Sequence, residues 1–131
     1  MNTIRAKITK INGIDSVNLI SFMVEQEEFI MMSLELNPAL QVGSEVLLGI
    51  KATTVSLAKE KNTMLSISNQ FPVQITSVEN GVLLSSVKFS FLGVGMESII
   101  TKDSAVHMDL KPEDEMIALV KASDLSIVEI L

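Results

Sequence analysis

Leu40-Gln41-Val42-Gly43-Ser44-Glu45-Val46 is written a second time, 70 residues on, as Leu110-Lys111-Pro112-Glu113-Asp114-Glu115-Met116. The same offset carries Lys51-Ala52-Thr53-Thr54-Val55-Ser56-Leu57 onto Lys121-Ala122-Ser123-Asp124-Leu125-Ser126-Ile127. Nearer the starts, Ala6-Lys7-Ile8-Thr9-Lys10-Ile11 matches Val73-Gln74-Ile75-Thr76-Ser77-Val78 at offset 67, so the copies differ by three residues in the intervening hairpin. Loops absorb such differences. A duplicated unit governs the whole fold assignment. Lys59-Glu60-Lys61-Asn62-Thr63 is charged and polar and reads as the linker, which divides the chain into modules 1–62 and 63–131.

Within each copy the apolar period is two: Ile4, Ala6 and Ile8 share one face, as do Phe71, Val73 and Ile75. Further β-rich runs are Val17 to Val24, Phe29 to Met32, Val46 to Ile50 and Val55 to Ala58. Their counterparts are Val82 to Phe91, Glu97 to Ile100, Met116 to Val120 and Leu125 to Ile130, giving about five strands per copy. Ser33-Leu34-Glu35-Leu36 and Asp103-Ser104-Ala105-Val106 each begin with a helix-capping residue and break the alternation, which predicts one short helical turn before the fourth strand. The expected fold is all-β, two tandem OB-like five-stranded β-barrel modules, each with a short helical turn.

The 131 residues are 47% hydrophobic but only 4% aromatic, all phenylalanine, so Ile, Leu, Val and the eight Met must supply most of the core. Small cores of this kind often lean on a neighbouring subunit. A net charge of −6 argues against general affinity for nucleic acid or an anionic membrane surface. A small anion would gain nothing from that average field and would need local donors. With no cysteine, disulfides and thiolate chemistry are excluded. Met1 to Ile11 has no apolar run like a signal peptide, and no window reaches membrane-spanning length, so a cytoplasmic protein is expected.

Catalytic constellations are scarce. His107 has no second His or Cys near it and reads as a surface or packing residue. Glu25, Glu27 and Glu28 read as a solvated hairpin tip, and Gly93-Val94-Gly95 as a hairpin turn without the context of a phosphate loop. Met31-Met32 fits gap-filling in a Phe-poor core better than a soft-metal site. No base, nucleophile or metal set assembles, so no enzyme is expected. Lys51 and Lys121 remain. Each ends an apolar strand and is followed by a small residue and then a hydroxyl residue, where a turn would expose backbone N–H groups. A tetrahedral dianion requires several converging donors with one or two positive charges.

At these residues the chain resembles the molbindin (Mop) modules, also called TOBE domains. Ser66-Ile67-Ser68-Asn69-Gln70-Phe71 is similar to their Ser-Ala-Arg-Asn-Gln-Leu opening, Leu110 to Glu115 to the segment before their penultimate strand, and Lys121-Ala122-Ser123-Asp124-Leu125 to their lysine motif. The similarity covers nearly all of 64 to 131 and, more weakly, 1 to 60. It implies paired barrels that assemble with other chains as a homo-oligomer, a trimer or another multiple of the two-module chain. It also implies molybdate or tungstate held at interfaces between modules, with no cofactor, nucleic acid or membrane partner. The implied oxyanion-binding set in the second copy is Ser66, Thr101, Ser104, Lys121 and the N–H of Ala122. Storage or homeostasis of molybdenum is the implied role, with a sensory module acting on a transporter or transcription partner as the alternative.

Two departures stand out. Ser68 occupies the place of the family's arginine and removes a fork of donors and a positive charge. The first copy lacks the Ser-x-Arg opening and, at the offset of 70, has Met31 and Leu34 in place of Thr101 and Ser104, so only Lys51 and Ala52 survive there. Fewer than two functional sites per chain are expected.

Overall fold

The computed structural model describes all residues, Met1–Leu131. The first repeat contributes β1 (Asn2–Ile14), β2 (Val17–Val24), β3 (Glu27–Ser33), β4 (Glu45–Ile50) and β5 (Ser56–Ala58). The second contributes β6 (Asn69–Asn80), β7 (Leu84–Phe91), β8 (Val94–Thr101), helix α1 (Lys102–His107), β9 (Glu115–Val120) and β10 (Leu125–Ile130). Short 3-10 turns, Ala52–Thr54 and Ala122–Asp124, precede the last strand of each repeat. Along β1, Asn2, Ile4, Ala6 and Ile8 point inward, and Asn69, Phe71, Val73 and Ile75 repeat the pattern along β6. Both long strands slip register against their hairpin partner at the same place, between Ile8 and Lys10 and between Ile75 and Ser77. Such a bulge bends the strand, so its first half pairs with β4 or β9 while its second half forms a hairpin arm. The Asp15-Ser16 and Leu92-Gly93 turns hold both central residues at positive φ, the geometry that matches strand twist in two-residue hairpins.

The sheet orders are β10-β4-β1-β2-β3 and β5-β9-β6-β7-β8. Each repeat therefore donates its last strand to the other: β5 pairs with β9, and β10 pairs with β4. Each sheet curls until its edge strands approach, β3 toward β10 and β5 toward β8. Two polar clamps reinforce the exchange. Asn69 Nδ2 donates to the Ile30 carbonyl at 2.9 Å while the Ile30 N–H donates to Asn69 Oδ1 at 2.7 Å. Its equivalent 67 residues earlier, Asn2, makes the same pair with Glu97, at 2.8 and 2.7 Å. Each carboxamide thus mimics a peptide group and extends the outer edge of the opposite repeat's third strand. One apolar core of 26 residues runs through both barrels. Phe29, Phe71 and Phe91, drawn from both repeats, stack with ring centroids 4.7 to 5.8 Å apart.

The expected helical turn is present at Asp103 to Val106, inside α1, but Ser33 to Leu36 is not helical. The pairings show why. Asn18 opposes Ser33 and, 67 residues on, Ser85 opposes Ile100, so offset 67 holds to the end of the third strand. The three missing residues therefore fall in the connection between β3 and β4, which is too short for the helix. Leu34 is accordingly the structural counterpart of Thr101, and Met31 that of Ser98, which corrects the offset of 70 applied there from sequence.

Candidate functional site

Both lysine turns form as the sequence predicts. Lys51 and Lys121 sit in extended conformation at the ends of β4 and β9, each followed directly by its 3-10 turn. The Lys51 carbonyl accepts from the Thr54 N–H at 2.9 Å and the Thr54 hydroxyl at 2.8 Å, and the Lys121 carbonyl accepts from the Asp124 N–H at 2.9 Å. Both lysine side chains are exposed, with Ala52 and Ala122 partly covered beneath them. Neither ammonium has a carboxylate partner, since the one ion pair of the chain is Lys111 with Asp109 at 3.1 Å. That hydrogen bond and the charges of Asp109 and Asp114 raise the Lys111 pKa above its ordinary value. Lys111 is thus already paired, whereas Lys51 and Lys121 have no carboxylate beside them.

The register then decides which residues meet. Asn69 opposite Val120 is the last pair between β6 and β9, and Ser68 and Lys121 are the next residues outward on the two strands, past the end of the ladder. Ser66 lies two residues further along the same exposed segment. Thr101 caps α1 by accepting from the Ser104 N–H at 3.1 Å, and its hydroxyl donates to Ser104 Oγ at 2.8 Å. The Ser104 proton is left for another acceptor. This hydroxyl pair lies at the far end of β6, because Thr101 pairs with Leu84 and the Gly81 N–H donates to the Leu84 carbonyl just beyond Asn80. The 12 residues of β6, bent at its bulge, separate the two groups.

The strand exchange has a further effect. The turn after Lys51 packs on β8, where Ser98 Oγ donates to the Val55 carbonyl at 2.6 Å. The turn after Lys121 packs on β3 of the first repeat. Within one chain, the lysine turn nearer to Thr101 and Ser104 is that of Lys51 and Ala52, while Lys121 and Ala122, and Ser66 and Ser68 ahead of β6, lie toward the other end of β6. None of the five principal cavities of the chain is lined by a residue of either group.

Of the residues set aside on sequence grounds, only His107 shares an element with these groups, three residues after Ser104 on α1. His107 is exposed in the last turn of α1, Met31 is buried in the core, and Leu92-Gly93 is a hairpin turn. No three His, Asp or Glu side chains converge as metal ligands. Sequence reasoning missed Asn2 and Asn69 as clamps and Gln70 as a loop anchor. The only signal was a polar residue at an inward position of a strand start, repeated at offset 67.

The model of the TOBE domain matches residues 65–127. No curated protein matches the chain. Among solved structures, the cytoplasmic molybdate-binding protein ModG, in a form with molybdate bound, superposes with a TM-score of 0.88 at 21% identity, covering 95% of this chain and 93% of that one. A molybdate-binding protein from Sporomusa ovata is 25% identical over 51% of this chain and 100% of its own, with a TM-score of 0.49. The ModG likeness fixes the fold as tandem OB-like barrels.

Proposed function

We propose, from the match of residues 65–127 to the TOBE domain, that the protein binds molybdate or tungstate by hydrogen bonds and leaves it chemically unchanged. The ligand is the oxyanion itself, for intracellular molybdenum storage or homeostasis. The observation that carries the reading is the pair of exposed lysine turns without carboxylate partners, one of them just past the end of the β6–β9 ladder, where the segment carrying Ser66 and Ser68 leads into β6. A dianion there finds an ammonium, hydroxyls and the N–H of Ala122. A micromolar site requires about 8 kcal/mol. Charge-assisted hydrogen bonds contribute roughly 1.5 to 3 kcal/mol each, so four or five donors suffice before ordering costs.

One chain does not bring that number together, because Thr101 and Ser104 lie at the opposite end of β6 from Lys121. The site therefore closes between chains, in a homo-oligomer. The apolar hairpin tips support association: Ile14 and Val17 in the first repeat and Val82, Leu83 and Leu84 in the second are exposed, and Leu84 is the strand neighbour of Thr101. With the helix and hydroxyl pair absent from the first repeat, Leu34, just past its third strand, stands where the second repeat has Thr101, and only one complete set of hydroxyl donors exists per chain. Titration calorimetry of Lys121→Ala with molybdate tests the assignment. At least a tenfold loss of affinity is expected, and unchanged affinity overturns it.

A further inference from the structure

Residues 59–68 join the exchanged strand β5 to β6 and form no strand or helix, yet the part that carries Ser66 is tied down at both ends by one side chain. Gln70 Oε1 accepts from the Asn62 N–H at 2.9 Å, and Gln70 Nε2 donates to the Asn62 carbonyl at 2.8 Å and to the Ile67 carbonyl at 3.1 Å. Asn62 Oδ1 in turn accepts from the Met64 N–H at 2.9 Å, tightening the loop from within. Gln70 itself is fixed by the β6–β9 ladder opposite Leu119, next to its terminal pair of Asn69 with Val120, beyond which Lys121 follows on the other strand.

We infer that Gln70 is a positioning residue of the oxyanion site: its carboxamide latches the 62–67 loop and sets Ser66 at a fixed place relative to Lys121. The inference rests on the proposed role of Ser66 in anion binding. An unlatched loop would have to be ordered when the anion arrives, and fixing backbone beforehand removes that cost from binding. The first repeat has Thr3 at the equivalent position, a side chain with no carboxamide to bridge two peptide groups, so this latch belongs to the second repeat.

Gln70→Met keeps the length and the aliphatic stem of this half-buried side chain and deletes all three hydrogen bonds. Two measurements test it on the full chain. Hydrogen exchange without ligand should show the Asn62 amide exchanging about tenfold faster in Gln70→Met while the thermal midpoint stays near that of the wild type. Unchanged exchange overturns the latch, whatever the protein binds. Calorimetry with molybdate on wild type, Gln70→Met, Ser66→Ala and the double variant should show Gln70→Met weakening binding about fivefold in the wild type and not at all on the Ser66→Ala background. Equal losses on both backgrounds, or none on either, overturn the positioning role. A wild type that binds no molybdate overturns the oxyanion reading and the role of Ser66 with it, a result distinct from failure of the latch.

Discussion

Asn69→Ala strikes the clamp that ties β6 to the first repeat. The Asn69 side chain is buried and makes two hydrogen bonds, both to the peptide groups of Ile30. Losing two such bonds costs about 0.5 to 1.5 kcal/mol each, and partly buried backbone groups left without partners add about 1 kcal/mol or more. The neighbouring Phe29–Phe71 contact, with centroids 5.0 Å apart, loosens if β3 moves outward. The total is about 2 to 4 kcal/mol, or roughly a 10 °C fall in thermal midpoint for a chain of this size. Urea denaturation followed by circular dichroism measures it. Asn69→Asp sharpens the test, because an ionised carboxylate accepts from the Ile30 N–H but faces the Ile30 carbonyl with no proton to share. Its folded-state pKa must rise above the unfolded value near 4. The destabilisation should then be small at low pH, where the protonated acid donates to the carbonyl, and should grow as pH rises past the unfolded pKa. Loss below about 0.5 kcal/mol for Asn69→Ala, or an Asp variant that is insensitive to pH relative to wild type, refutes the clamp.

Two other perturbations follow from the fold. Gly93 sits at φ +80° with nothing within 4 Å of an added Cβ, so Gly93→Ala should cost about 1 to 2 kcal/mol through backbone strain alone, with molybdate affinity unchanged in calorimetry. A chain ending at Asp124 lacks β10, leaves β4 with a bare edge and removes Leu125 from the shared core, so gel filtration and circular dichroism should show loss of both barrels together rather than of one; a truncated chain retaining the native thermal midpoint contradicts the exchange.

The duplication and the period of two were legible because each records which face of a strand is buried. Ile4, Ala6 and Ile8, with Phe71, Val73 and Ile75, are indeed core residues. The exchange of β5 and β10 was not legible. Alternation in Leu125 to Ile130 says that one face is covered, but the choice of β4 rather than β9 as neighbour is a pairing between distant segments that leaves no local mark. The same holds for Asn2 and Asn69, whose partners lie 95 and 39 residues away. Ser33 looked like a helix cap, yet the connection after it is three residues shorter, and Pro38 biases Asn37 away from helical backbone. At the site, the turns after Lys51 and Lys121 were readable from a lysine, a small residue and a hydroxyl. That Thr101 and Lys121 stand at opposite ends of β6 depended on register.

The measurement that bears most directly on the account is native mass spectrometry of the wild type purified with molybdate, run beside calorimetry with molybdate and with sulfate. Assembled chains retaining molybdenum, with no retention by the single chain, are the predicted result. Molybdate bound tightly by a lone chain, or no binding by any assembly, contradicts a site completed by donors from neighbouring copies.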